Sequence, residues 1–395
     1  MHKILWVGDA VVASGFARCT HKILEPLCGD NEVQVLGIGH NGDPVDPPYP
    51  YPIYPSFLGG DVFGVGRIAG RVAAFEPDVI ILQNDPWNIP PYIEQLEDDH
   101  VPIVGAIAVD GLNCKGASLN GLSHAIFWTK FAQAEATYGG LTVPSTVIPL
   151  GVDLSIYGPG DRSAARSVLD LSGNGPTNLN DVFIVGNVNR NQPRKRLDLT
   201  IAYFAEWIKT HRVTDAFLYL HVCPTGEHGC DIRQLVDYYG IRSRVLLSQP
   251  HIGYGIPEDL LVQTYRTFDV QLTTTQGEGF GLSTLEGMAC GIPQIVPSWA
   301  ALGDWPGEAA YSVPCASTAI TPNGVNVIGG VPARVETVEA LDTLYRDSTA
   351  RFALRSAGLA LTAQPQFRWS SIAEAYANVF SDVIQSAKES ELLTK

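Results

Sequence analysis

Two short segments of this chain carry residue types that can manage phosphate chemistry. The first is Glu278-Gly-Phe-Gly-Leu-Ser-Thr-Leu-Glu286. It follows an apolar strand-type run, Val270–Thr273, and a helix is predicted to begin at Ser283. Gly279 and Gly281 let the backbone come close to a ligand. The amides of Leu282, Ser283 and Thr284 would open the helix with donors that lack intrahelical acceptors, at the positive end of the helix dipole. Such a terminus suits a phosphate. Ser283-x-x-Glu286 equally matches a capping box, in which Glu286 accepts from the Ser283 backbone N–H. The spacing leaves both readings open. Glu278 sits in the glycine turn, as a ligand-binding carboxylate or as a solvated loop residue.

The second segment is Asn187-Val-Asn-Arg190-Asn-Gln-Pro-Arg-Lys195-Arg196, between a predicted strand, Val182–Asn187, and a predicted helix. Guanidinium forks and a lysine ammonium suit a diphosphate, the former for geometry and the latter as a point charge. A solvated basic turn is the alternative. Two further positions are weaker. Asp85, in Gln83-Asn-Asp-Pro-Trp87, is an acceptor-side candidate or a turn-forming Asp before Pro. His221 opens HVCPTGEHGC, whose H-x-C-x4-H-x-C spacing is no common zinc pattern. It reads as a strand-end loop, with His221 as a candidate for lining a ligand site. No other segment suggests a metal site.

The elements that must position these residues alternate along the chain. Strand-type runs are predicted at Lys3–Val7, Val33–Ile38, Asp78–Leu82, Ile103–Val109 and Ser145–Leu150, with helices at Arg18–Leu27 and Asp61–Phe75. Residues 44–55 read as a proline-rich extended loop without a core of its own. Gly, Pro, Asn and Asp dominate 151–180, and a second alternation follows. The expected fold is α/β, with two doubly wound parallel-sheet domains facing across a cleft. The expected limits are 1–165 for an acceptor-side domain and 166–367 for a nucleotide-sugar domain. A C-terminal helix, 368–395, has one apolar face built on Ile372, Ala375, Tyr376, Val379, Val383 and Ile384. Ligands in such sheets bind beyond the carboxyl ends of the strands.

Composition narrows the class. The chain has 395 residues, 45% of them hydrophobic, and a formal charge of −15. Residues 1–165 carry 8 Lys or Arg against 18 Asp or Glu, and the remainder carries 18 against 23. That balance disfavours a general polyanion binder and a polybasic membrane anchor. Seven cysteines, an odd number without a CxxC pair, fit free thiols in a reducing compartment. No run has the length of a membrane span and the first residues do not resemble a signal peptide. The expectation is a soluble cytoplasmic protein.

The motifs together resemble the GT-B glycosyltransferases, specifically the large retaining glycosyltransferase family 4. That family has an EGFG…LE segment with the interval that separates Glu278 from Glu286. It also has an Arg with a Lys five positions on, matched by Arg190 and Lys195. Ile148-Pro-Leu-Gly-Val-Asp153 and Leu285-Glu-Gly-Met-Ala-Cys-Gly-Ile-Pro293 are similar too. The resemblance implies a nucleotide-diphosphate sugar as donor, an acceptor hydroxyl, and no required metal or other cofactor. Arg190 and Lys195 would neutralise the leaving diphosphate, and Glu278 would contact the transferred sugar. Glu286 would hold ribose hydroxyls, while amides of Gly281, Leu282, Ser283 and Thr284 would meet sugar or phosphate. Gly15, in a turn of the first domain, would let the diphosphate lie against backbone.

The chain also departs from the family. Many members carry a His where this chain reads Ala106-Ile-Ala-Val-Asp110-Gly111. Asp110 is the remaining ionisable group there, read as orienting an acceptor hydroxyl or the sugar, or as a plain strand-end Asp. Leu150 stands where His or Asn is common, and Gly303-Asp304-Trp305 where a Glu is often found. Two alternatives stay beside transfer to a small sugar, lipid or protein hydroxyl. One is a DNA-modifying glycosyltransferase acting on hydroxymethylated bases, because Ser14-Gly-Phe-Ala-Arg18 and Leu218-Tyr-Leu-His221 resemble phage-type glycosyltransferases. The net charge does not favour DNA. The other is a nucleotide-sugar-binding protein without transfer activity. The sugar, the base and the oligomeric state are left open.

Overall fold

The computed structural model describes residues 1–11, 14–42, 49–57, 59–168, 179–224, 228–248, 255–321 and 325–394. The chain forms two compact units. The first comprises Met1–Val109, Asn113–Gly151 and Pro365–Lys395; the second comprises Asp110–Leu112 and Val152–Gln364.

The first unit runs β1 (Lys3–Gly8), α1 (Gly15–Leu24), β2 (Glu32–Gly37), β3 (Ile53–Pro55), α2 (Val65–Phe75), β4 (Val79–Asn84), α3 (Pro90–Gln95), β5 (Ile103–Ile107), β6 (His124–Phe127), α4 (Lys130–Tyr138) and β7 (Ser145–Val147). The strands make one parallel sheet in the order β3-β2-β1-β4-β5-β6-β7. Every residue of β4 and β5 is buried, as expected of strands covered on both faces. Helix α1 begins earlier than its apolar pattern indicates. Ser14 caps it by accepting from the Ala17 N–H, and Pro26 turns its end into a tighter 3-10 segment. The proline-rich loop is also corrected in part. Residues 44–48 of it lie outside the described residues, but Ile53–Pro55 pairs with β2, and Tyr51 and Ile53 are buried. An edge strand tolerates proline because one side of it needs no donors.

The second unit runs α5 (Arg162–Val168), β8 (Phe183–Val188), α6 (Leu197–Thr210), β9 (Ala216–His221), α7 (Ile232–Tyr238), β10 (Val245–Ser248), α8 (Glu258–Arg266), β11 (Val270–Leu272), α9 (Leu282–Ala289), β12 (Gln294–Pro297) and β13 (Tyr311–Val313). A hairpin, β14 (Cys315–Ile320) with β15 (Ile328–Pro332), precedes α10 (Arg334–Arg346) and α11 (Ser348–Thr362). The parallel sheet has the order β10-β9-β8-β11-β12-β13. The strand order reverses between β8 and β11, which makes the ends of those two strands the expected ligand position. The last helix, α12 (Trp369–Thr394), belongs to the first unit. It buries Ile372, Tyr376, Val379, Val383 and Ile384 as its apolar pattern predicts, with Ala373 and Phe380 beside them.

Helix α5 is tied down by charge rather than by apolar surface. Arg166 is 4% exposed and donates to the carbonyls of Thr267, Leu179 and Val182 and to Asp269 Oδ2 at 2.7 Å. The same Asp269 oxygen accepts the Ile184 amide at 2.7 Å. Burial pulls the Arg166 guanidinium below its usual pKa, and Asp269 opposes that loss. Removing the carboxylate strands a buried cation, which costs about 3–5 kcal/mol. Urea unfolding of Asp269→Ala should show a loss of that size; a loss under about 1 kcal/mol contradicts this docking.

Candidate active site

The loops after β8 and β11 are stitched together by backbone and hydroxyl contacts. Gln276 N–H donates to the Arg194 carbonyl at 2.8 Å, and Thr274 Oγ1 donates to the Arg196 carbonyl at 2.7 Å. Thr274 and Thr200 hydroxyls meet at 2.6 Å, and Asn187 Nδ2 donates to Thr200 Oγ1 at 3.0 Å. Asn191 is 1% exposed and bridges to Cys230, accepting from its N–H at 3.1 Å and donating to its carbonyl at 2.8 Å. From Asn191 to Arg196 the basic run is therefore not a solvated turn, whereas Arg190 before it is exposed. That stretch is fastened to the strand ends on both sides.

That framework assembles four charges. Lys195 Nζ lies 2.6 and 2.7 Å from the two oxygens of Glu278. Arg194 Nη1 donates to the Gly277 carbonyl and reaches Glu278 Oε2 at 3.3 Å. Arg194 Nε is 3.1 Å from Asp110 Oδ2. The side chains of Asp110, Lys195 and Glu278 are only 11–12% exposed. Burial alone pushes the Glu278 carboxyl up, but the Lys195 and Arg194 charges outweigh it and hold the group below the usual carboxylate range. Burial also pulls the Lys195 ammonium down, against the attraction of Glu278. For Asp110, burial wins over the Arg194 charge and the carboxyl titrates above its usual range.

Asp110 was expected in the first domain, yet Asp110–Leu112 belongs to the second unit. Leu112 forms an antiparallel bridge with Ile328 of β15, with N–H to carbonyl distances of 3.0 and 3.1 Å. A Cβ on Gly277 would lie 1.7 Å from the Asp110 carbonyl oxygen. Glycine at 277 is what permits this close approach.

The helix start corrects one alternative. The N-cap of α9 is Gly281, in the left-handed region at φ 95°, so Ser283 lies inside the helix and the capping box does not form. Glu286 is instead 4% exposed and accepts the Tyr265 hydroxyl at 2.7 Å. Of the three amides considered, that of Thr284 donates to the Gly281 carbonyl at 3.0 Å. Those of Leu282 and Ser283 occupy the first turn, where no helix carbonyl precedes them. Phe280 stacks on Trp305 at 4.9 Å, and Trp305 Nε1 donates to the Phe280 carbonyl at 2.7 Å.

The other expected residues are placed as follows. Arg190 is exposed on the loop after β8. His221 ends β9, with Nδ1 2.7 Å from Ser248 Oγ, and burial pulls its pKa down to about 4, so it is neutral at pH 7. In the first unit, Gly15 is the exposed first residue of α1, following the Ser14 cap. Asp85 precedes the 3-10 turn Pro86–Asn88, and its backbone carbonyl accepts the Asn88 N–H at 3.0 Å. Among the described residues, no group of three His, Cys, Asp or Glu side chains is arranged to hold a metal ion. Arg194 is the residue the sequence reading passed over; its only signal was its place beside Lys195 in the basic run.

Two parallel-sheet units, with paired cations and carboxylates at the strand ends of the second, define a GT-B glycosyltransferase fold resembling glycosyltransferase family 4. Residues 180–322 match the family described as Glycosyl transferases group 1. The chain is 31% identical over 173 residues to D-inositol 3-phosphate glycosyltransferase of Acidothermus cellulolyticus, covering 42% of this chain and 36% of that protein. It is 29% identical over 245 residues to the protein of that name from Stackebrandtia nassauensis, covering 61% and 49%. The chain thus spans between a third and a half of these relatives. Among solved structures, sucrose-phosphate synthase from Thermosynechococcus elongatus superimposes with a TM-score of 0.77 at 16% identity, covering 98% of this chain and 100% of that one. Anabaena HepE in complex with UDP-glucose gives 0.72 at 18% identity, covering 97% and 100%.

Lys195→Met leaves Glu278 buried beside Arg194 alone and should destabilise the chain by about 3 kcal/mol. Combining it with Glu278→Gln should recover much of that loss. A double-mutant cycle should give a coupling of about 2 kcal/mol; a coupling of zero contradicts the pair.

Proposed function

We propose that this chain transfers a hexose or related sugar from a nucleotide-diphosphate sugar to an acceptor hydroxyl, with retention of anomeric configuration. The observation that carries this reading is the Lys195–Glu278–Arg194 network at the reversal point of the second sheet, next to the first turn of α9. Sugar transfer builds negative charge on the departing diphosphate and positive charge on the sugar. Preorganised donors beside the phosphate lower that barrier. Lys195 and Arg190 would take the diphosphate charge, with the Leu282 and Ser283 amides. Glu278, held ionised by its cations, would accept from hydroxyls of the transferred sugar, and Glu286 from the ribose. The named activity of the relatives and the UDP-glucose bound by HepE support a donor of this class.

On this reading the phosphate charge is met by side chains and amides, so the reaction needs no metal. The departing phosphate takes the acceptor proton in a front-face path, so no dedicated base is needed. Asp110, whose raised pKa favours its protonated form more than an ordinary carboxyl's, would orient an acceptor or sugar hydroxyl. The acceptor is a hydroxyl-bearing molecule, and the net charge of −15 does not favour DNA in that place. All seven cysteines are free thiols, which supports a cytoplasmic setting. No helix among the described residues is long and apolar enough to cross a membrane.

Arg190 tests the donor reading without disturbing the buried network, because its side chain is exposed. Arg190→Ala and Glu286→Ala should each lower donor affinity or turnover at least about tenfold, near 1.4 kcal/mol. Product analysis by NMR should show a new glycoside of unchanged anomeric configuration, formed equally well in excess EDTA. Normal donor affinity and rate in both variants would remove the assignment. Donor binding without transfer to any of a broad acceptor panel would instead favour a binding protein.

A further inference from the structure

The second unit also holds an open recess of about 280 Å³ lined by Gly160, Arg162, Arg266, Cys290, Ile292 and Arg355. Three arginine side chains line it, in a chain whose net charge is −15. No carboxylate is among these lining residues. Asp269, which pairs with Arg162, is shared with buried Arg166, so the surroundings stay positive. The Cys290 thiol is pushed up to about 12, first by burial and then by Glu286, and adds no negative charge.

The arginines are held by backbone yet keep most of their donors. Arg266 Nε donates to the Gly158 carbonyl at 2.9 Å, and Arg355 Nη1 to the Gly291 carbonyl at 3.1 Å. Arg162 Nη1 donates to Asp269. A Cβ on Gly160 would lie 2.6 Å from Arg266 Nε, and one on Gly291 would lie 3.0 Å from Arg355 Cζ, so glycines make room for both guanidiniums. Each guanidinium carries five N–H donors. Among the described residues, each of the three spends its hydrogen bonds on a single partner residue. Capping of the carbonyls beyond α9 explains one donor of Arg355. It does not explain why three cations share one recess.

We propose that this recess binds a small dianionic phosphoryl group, as inorganic phosphate or as a phosphate monoester. Guanidinium forks fit phosphate oxygens in pairs, and charge-assisted bonds of this kind are the strong ones. The site is independent of the sugar-transfer reading, since none of its lining residues belongs to the Lys195–Glu278 network.

Calorimetric titration with inorganic phosphate and with a hexose monophosphate tests it. Both probes should bind. An Arg266→Ala/Arg355→Ala double variant should weaken binding at least about tenfold. Tighter binding of the hexose monophosphate identifies the ester as the ligand, and equal binding identifies the bare anion. Absence of binding by either probe overturns the proposal. So does undiminished binding in the arginine variant, which moves the phosphate to another site. Hydrogen exchange on the unmodified chain covers the case of a misfolded variant. Phosphate should protect residues 290–292 and the segment around Arg355, and unchanged exchange there rejects the site.

Discussion

A lysine ammonium that is 12% exposed must have a partner, and Lys195 has one in Glu278. Neither charge tolerates that depth alone, since removing water from an isolated ion costs several kcal/mol. The arrangement around them follows from this constraint. Arg194 adds a second cation to Glu278 and carries Asp110 on its other side. Within the network two cations thus face Glu278, and the second of them also faces Asp110. A diphosphate arriving beside Lys195 would offer the ammonium a second anion without stripping it of Glu278.

The fold serves this network at several levels. Adjacent parallel strands β8 and β11 bring the two loops together where the sheet order reverses. Hydroxyls of Thr200 and Thr274 and the amide of Asn191 then fix the loops where side chains alone would be mobile. Glycine at 277 admits the Asp110 carbonyl, and glycine at 281 turns the chain so that α9 begins one residue later. The bridge from Leu112 to Ile328 holds Asp110 near Arg194 from the far side. A site with charges this closely spaced needs such fastening, because misplacement by about 1 Å weakens both pairing and catalysis.

Much of this could be read in the residues, and the exceptions have physical causes. Continuous apolar runs marked β1, β4, β5, β8, β9 and β11, because strands covered on both faces carry no alternation to misread. The short runs of β3 and β6 and the hairpin β14–β15 were passed over. Three or four residues give little periodicity, and prolines around Ile53 masked an edge strand. Lys195 and Glu278 were found through their chemistry and through the family resemblance. Arg194 was not, because the 3-10 turn Pro193–Lys195 brings both neighbouring cations onto Glu278, and no local spacing reveals that. Asp110 precedes Arg194 by 84 positions in the chain, so their contact belongs to tertiary structure alone. The capping-box reading of Ser283 and Glu286 failed because a left-handed Gly281, invisible to a motif, moved the cap upstream.

The most direct test of this account is a crystal structure of the chain with a nucleoside diphosphate bound. The phosphates should lie within hydrogen-bond reach of Lys195 Nζ and of the Leu282 or Ser283 amide, with the ribose hydroxyls on Glu286. A diphosphate bound away from those groups, with the Lys195–Glu278 pair untouched and no phosphate beside it, would contradict the account.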